Sequence, residues 1–158
     1  MTDYQSKYQF TLKNENATKL LASKLAVLAK PKDVIALKGD LGVGKTVFAR
    51  AFIQAIGGEY EVPSPTFMLV QVYEFSCISI YHFDLYRIED HEEIIELGID
   101  EAFADGVSLI EWPERMGNYI PLDRLDVILS NGLDENAREV ILVGYGDSWI
   151  KKLSKVFV

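Results

Sequence analysis

Eight consecutive residues constrain this chain more than any others: Gly39-Asp40-Leu41-Gly42-Val43-Gly44-Lys45-Thr46. They read G-x-x-x-x-G-K-[ST], a phosphate-binding P-loop, provided that a strand precedes them and a helix follows. Asp33-Val34-Ile35-Ala36-Leu37-Lys38 is a short run suited to a buried strand, Val47 to Ile56 suits a helix, and Gly57-Gly58 supplies a stop. The glycines let the backbone curl so that successive N–H groups face phosphate oxygens, and the new helix adds its positive end. Lys45 is expected to reach the β- and γ-phosphates as a mobile point charge, and the Thr46 hydroxyl to ligate Mg²⁺. The bland alternative is a glycine-rich turn with a surface lysine; the flanking strand and helix argue against it. Val47 stands where many P-loops carry a second hydroxyl, so any α-phosphate contact there runs through the backbone.

At 158 residues the chain is long enough for one domain with a real core. No apolar run reaches the about 18–20 residues of a membrane span. The stretch Met1 to Lys7 lacks the basic and apolar regions of a signal peptide, and Cys77 is the one cysteine, so a cytosolic setting is expected. The net charge of −8 makes the chain a poor candidate for gripping a nucleic-acid backbone unaided, since that binding rests on Lys and Arg. Any contact with RNA is expected to run through a partner.

The remaining elements read as follows. Tyr8 to Leu12 alternates like a strand, Asn14 can cap a helix from about Glu15 to Ala29, and Leu21, Leu25 and Leu28 share its inner face. Glu61 to Thr66 is a loop stiffened by two prolines, and Phe67 to Phe75 with Cys77 to Phe83 can form a hairpin. Asp90 to Leu97 reads as a short acidic helix ended by Gly98, and Val107 to Ile110 as a buried strand. Leu125 to Leu129 and Glu139 to Val143 form a second hairpin around Asn131-Gly132, before a last helix from Ser148 to Val156. No repeat or linker interrupts the chain, which is expected to be a single α/β P-loop domain with a mixed, largely parallel central sheet flanked by helices.

A P-loop ATPase needs a carboxylate at the end of a neighbouring strand to hold Mg²⁺. Asp84 closes the run from Ile78 to Phe83, and Glu111 closes Val107 to Ile110; both sit where α/β sheets place functional groups. Which of the two is the direct metal ligand stays open. Thr66 lies where nucleotide switches keep a threonine that senses the γ-phosphate. Trp112 directly follows a candidate ligand, and its ring could register nucleotide binding. His82 and His91 lack metal-ligand spacing and read as packing or surface residues. Asp90, Glu92, Glu93 and Glu96 read as a solvated face, with an acidic docking surface as the alternative. There is no N-K-x-D to read guanine, and no arginine-rich lid of the nucleoside-kinase kind.

The P-loop, Ser64-Pro65-Thr66-Phe67, Tyr81-His82-Phe83-Asp84-Leu85-Tyr86-Arg87 and Leu109-Ile110-Glu111-Trp112 together resemble the bacterial TsaE (YjeE) family, in order and spacing from the N-terminal strand through Arg138. The resemblance implies a weak ATPase that acts with the TsaB–TsaD complex. That machinery places a threonylcarbamoyl group on the adenosine next to the anticodon of tRNAs reading codons that begin with A. It further implies that Leu41, Gly42, Val43, Gly44, Lys45, Thr46 and Val47 contact ATP, with Leu12 and Arg138 bordering the nucleotide. Lys45, Asp84 and Glu111 are then the catalytic set, Thr46, Asp84 and Glu111 the magnesium side, and Thr66 part of a switch-like loop. Val47 and Met68 depart from the hydroxyl residues usual in the family. Two other readings remain: a non-catalytic module gated by nucleotide occupancy, and a small-molecule kinase.

Overall fold

A strand enters the P-loop and a helix leaves it, as the motif requires: in the computed structural model these are β2 (Val34–Lys38) and α2 (Lys45–Gly57). The structure describes residues 5–57 and 69–157. The proline-stiffened loop, Thr66 and Met68 lie outside those residues.

Before β2 come β1 (Gln5–Leu12) and α1 (Glu15–Ala26). Asn14 caps α1, its Oδ1 accepting the Ala17 N–H at 3.0 Å. The helix stops short of Ala29, because Leu28 and Ala29 turn back with bonds to Leu25 and Ala26 while still packing on the core. After α2 come β3 (Val70–Glu74), β4 (Ser79–Asp84), α3 (Glu93–Glu96), α4 (Ile99–Asp105) and β5 (Val107–Glu111). A 3-10 stretch (Pro113–Tyr119), β6 (Arg124–Asn131), β7 (Arg138–Tyr145) and α5 (Asp147–Val156) complete the chain. The acidic helix is one turn only. Gly98 stands just past its end, as its type suggests, and at φ 81° it also redirects the chain into α4, a helix the sequence reading does not place, whose Ile99 and Ala102 are buried.

The seven strands form one sheet in the order β1-β7-β6-β2-β5-β4-β3. The central block β6, β2, β5 and β4 is parallel, and the flanking pairs β1–β7, β7–β6 and β4–β3 are antiparallel. Both expected hairpins are present. Period-two alternation sends side chains to opposite faces. Ile35, Ile80 and Leu109 join one core with α1, α2 and α5, while Val34, Phe83 and Ile110 join a second with α3 and α4. Among the described residues no helix is long and apolar enough to cross a membrane.

The P-loop is anchored at its root by a buried charge cluster. Asp126 on β6 is 1% exposed, accepts from Lys38 Nζ at 2.9 Å and from Arg124 Nε at 2.8 Å, and so pins the last residue of β2. Charge-assisted bonds in such a setting contribute about 1.5–3 kcal/mol each, and Lys38 can recover part of its loss by turning to water. Asp126→Asn should therefore lower unfolding stability by about 1–3 kcal/mol, read from urea midpoints at unchanged slope. A change within error would show that the cluster does not anchor the loop.

Candidate functional site

The parallel block brings three strand ends together. Leu37 pairs with Glu111 and Asp84 pairs with Glu111, so the P-loop root and both carboxylates lie side by side at the carboxyl edge. His82 and Asp84 share the strand face of Ile80, and Glu111 that of Leu109; this is the face that α2 covers.

The loop itself uses its glycines unequally. Gly39 has φ 143°, and a Cβ there would meet the Leu129 carbonyl oxygen at 2.5 Å and the Val43 side chain at 2.7 Å, so only glycine fits. Gly42 and Gly44 also have positive φ but look into open space. They leave the backbone bare along two adjoining hollows that share Gly42, Gly44 and Val47. One, of about 370 Å³, is walled by Lys45, Thr46, Asp84, Arg87, Glu111 and Trp112. The other, of about 420 Å³, lies between the start of α1 and Arg138.

Glu111 is held at both oxygens. Thr46 Oγ1 donates to Oε1 at 3.1 Å, and His82 Nε2 lies 2.7 Å from Oε2. Asp84 accepts the Tyr86 N–H at 3.1 Å. Lys45 is only 5% exposed; its ammonium donates to the Gly39 carbonyl and stands 3.6 Å above the Trp112 ring, which in turn packs against Tyr86. Trp112 takes a left-handed conformation (φ 59°, ψ 52°) directly after Glu111. Strain of this kind costs on the order of 1–3 kcal/mol and gathers where function holds a side chain in place.

These groups fit a nucleotide with magnesium. Two buried carboxylates beside one buried lysine would repel a polyphosphate unless a cation came with it. Thr46, Asp84 and Glu111 offer oxygen donors on one hollow, a set that suits Mg²⁺, which takes one or two carboxylates and completes its shell with water and phosphate oxygens.

The expected residues do not all meet in one place. Lys45, Thr46, Asp84 and Glu111 converge on one hollow with Leu41 and Val47 on its rim. Arg138 sits behind the loop, its Nε donating to the Val43 carbonyl at 3.0 Å and Nη2 to the Gly42 carbonyl at 3.5 Å, and it lines the second hollow. Leu12, its strand partner, is buried in the core, as is Val43. Thr66 lies outside the described residues. From the sequence, His82 reads as packing or surface; the structure buries it, as packing would, and adds a close contact with Glu111 that the reading lacked. The available signal was its place two residues before Asp84 on one strand face.

Burial pulls the Lys45 pKa below the usual 10.5, against the opposing charges of Glu111, Glu114, Asp84 and Asp40. Between the lowered folded-state pKa and the unfolded one, the unfolded chain binds more protons, so this group's contribution to stability rises with pH across that window. Below the window the folded state carries the full desolvation cost. The unfolding free energy of the parent minus that of Lys45→Met should therefore rise as pH is raised from neutrality toward 10.5, in paired urea titrations without nucleotide. A flat or falling difference would contradict the buried charge.

The family described as Threonylcarbamoyl adenosine biosynthesis protein TsaE matches residues 12–140. A tRNA threonylcarbamoyladenosine biosynthesis protein TsaE of Rickettsia felis is 47% identical over 128 residues, covering 80% of this chain and 74% of that protein. The Bacillus subtilis protein of the same name is 38% identical over 137 residues, covering 86% and 85%. The crystal structure of Bacillus subtilus YdiB superposes with a TM-score of 0.82 at 28% identity, covering 98% of this chain and 96% of that one.

Proposed function

The chain belongs to the TsaE family, and from that premise we propose that it is an ATP-binding, slowly ATP-hydrolysing component of the machinery that forms threonylcarbamoyladenosine in tRNA. On this reading it acts with the TsaB–TsaD complex on tRNAs reading codons that begin with A, and meets tRNA only through those partners. The observation that carries the nucleotide part is the convergence of Lys45, Thr46, Asp84 and Glu111 on one hollow at the ends of parallel strands.

The proposed chemistry follows from those side chains. Lys45 leaves the Gly39 carbonyl for the β- and γ-phosphates, where its charge is neutralised rather than merely buried. Thr46 and Glu111 would hold the magnesium ion, which when bound would supply charge neutralisation on the transferring phosphoryl group. Asp84 lies beside Glu111 at the sheet edge, oriented by the Tyr86 amide, and aligns the attacking water. Water adds to the γ-phosphorus, the bond to the β–γ bridging oxygen breaks, and the proton passes through Asp84 to solvent. The phosphate leaves with ADP behind it.

Lys45→Ala tests the loop. A charge-assisted contact is worth about 1.5–3 kcal/mol, so ATP affinity by calorimetry should fall roughly 10- to 150-fold. Unchanged affinity would sink the phosphate assignment.

The catalytic part is tested by phosphate release at saturating ATP–Mg²⁺. Hydrolysis should be slow for the isolated chain, rise with TsaB–TsaD, and respond little to bare tRNA. A charge supplied in trans to a P-loop site can be worth ~10³–10⁵ in rate. Asp84→Asn and Glu111→Gln keep shape and lose charge, and each should abolish the stimulated rate. Equal support of tRNA modification by a non-hydrolysable ATP analogue would favour the nucleotide-gated module instead. A fast isolated enzyme, or one driven by tRNA alone, would overturn the reading.

A further inference from the structure

We propose that His82 is a positioning residue for Glu111: its ring holds one carboxylate oxygen so that the other is presented to Thr46 on the magnesium side of the nucleotide. The inference rests on the magnesium–nucleotide reading above and adds a residue to it.

The geometry is closed on every side. His82 is fully buried on β4 and Glu111 is 3% exposed on β5. In the parallel register His82 lies opposite Leu109, two residues before Glu111. The imidazole therefore sits beneath the carboxylate rather than beside it. Nε2 stands 2.7 Å from Oε2, while Oε1 accepts from Thr46 at 3.1 Å. The carboxylate is gripped at both oxygens and its rotation is fixed. On the magnesium reading a metal-binding carboxylate accepts, which makes Nε2 the donor.

Packing alone does not account for an imidazole here. Nδ1 of His82 is buried and has no hydrogen-bond partner among the described residues. An apolar ring would fill the same space without that unpaired nitrogen, whose burial carries a cost. The contact that offsets it is the bond to Glu111. Groups behind a metal ligand orient it in this way, and their loss commonly lowers metal affinity about 10- to 100-fold.

The test measures binding rather than turnover. Affinity for ATPγS is measured by calorimetry with Mg²⁺ and with EDTA, and the ratio of the two is the gain from magnesium. His82→Gln places an amide nitrogen near Nε2 and can still donate, whereas His82→Asn places it near Nδ1 and cannot reach. The Asn variant should lose about 10- to 100-fold of the magnesium gain and the Gln variant should keep most of it, with EDTA affinities equal to the parent's. Adding His82→Asn to Glu111→Gln should lower the gain no further than Glu111→Gln alone, because the two residues act as one unit. A folded His82→Asn protein with the parent's gain overturns the proposal, as does a further loss in the double variant or an equal loss in EDTA. Should the Asn variant not fold, a folded Gln variant that loses the gain overturns it too. A parent protein with no magnesium gain at all would instead refute the magnesium–nucleotide reading itself, and the role of His82 with it.

Discussion

A buried ammonium is the interaction on which the rest of this site depends. Lys45 has been taken almost wholly out of water, and burial pulls its pKa down against the pull of four carboxylates. Its direct neighbours are a carbonyl oxygen and the face of an indole ring, neither of which carries a full negative charge. Such a group is stable enough to fold around yet better satisfied by an anion. The surrounding architecture keeps that arrangement open. Gly39 lets the loop pass under Leu129 and Val43, Gly42 and Gly44 leave backbone uncovered, and the strained Trp112 holds its ring over the lysine. Each feature makes sense as part of a seat for phosphate.

The carboxylates depend on the sheet rather than on the loop. Asp84 and Glu111 lie far from Lys45 in sequence, and neighbouring parallel strands bring them to one edge. A one-residue slip between β4 and β5 would turn one of the pair to the opposite face, away from α2. Register is secured by the two cores, because Ile80 and Leu109 are buried on one face while Phe83 and Ile110 are buried on the other. Core packing and site geometry are thus the same constraint seen from two sides. The Asp126 cluster extends it to the loop by tying the end of β2 to β6.

What the sequence made legible was local. The P-loop, its flanking elements, the Asn14 cap, both hairpins and the strand-ending places of Asp84 and Glu111 all follow from spacing and alternation over a few residues. What it hid depends on pairing across the chain or on a conformation that the residue type does not announce. The His82–Glu111 bond spans 29 positions and exists only because β4 and β5 pair in one register. The Arg138 brace on Val43 spans 95 positions and needs β7 beside β1 and behind the loop. Gly98 reads as a helix stop and is one, but its left-handed conformation also turns the chain into α4, which only the burial of Ile99 and Ala102 announces. Trp112 precedes a proline, a context that favours extended backbone, so its left-handed conformation runs against local preference and is imposed by its surroundings.

On the proposed hydrolytic reading the transferring phosphoryl group calls for positive charge beyond one lysine and a metal, and the two arginines at the hollows stand differently toward it. Arg138 lines the second hollow, and its guanidinium donates to the carbonyls of Gly42, Val43, Glu135 and Ala137. Moving it to a phosphate would strip the P-loop of its brace, so its contribution is to the shape of the loop. Arg87 is exposed, lies on the wall of the same hollow as Lys45, and follows Asp84 by three residues at the end of β4; it too has partners within the chain. The resemblance sets Arg138 at the border of the nucleotide and gives Arg87 no role; the fold puts the two on different hollows. A partner that covers this face would meet Arg87 and the exposed Leu41 and Tyr86 together at the rim. On the proposed reading, covering that rim would take water from the wall that carries Arg87, and a lower local dielectric strengthens electrostatic contacts there.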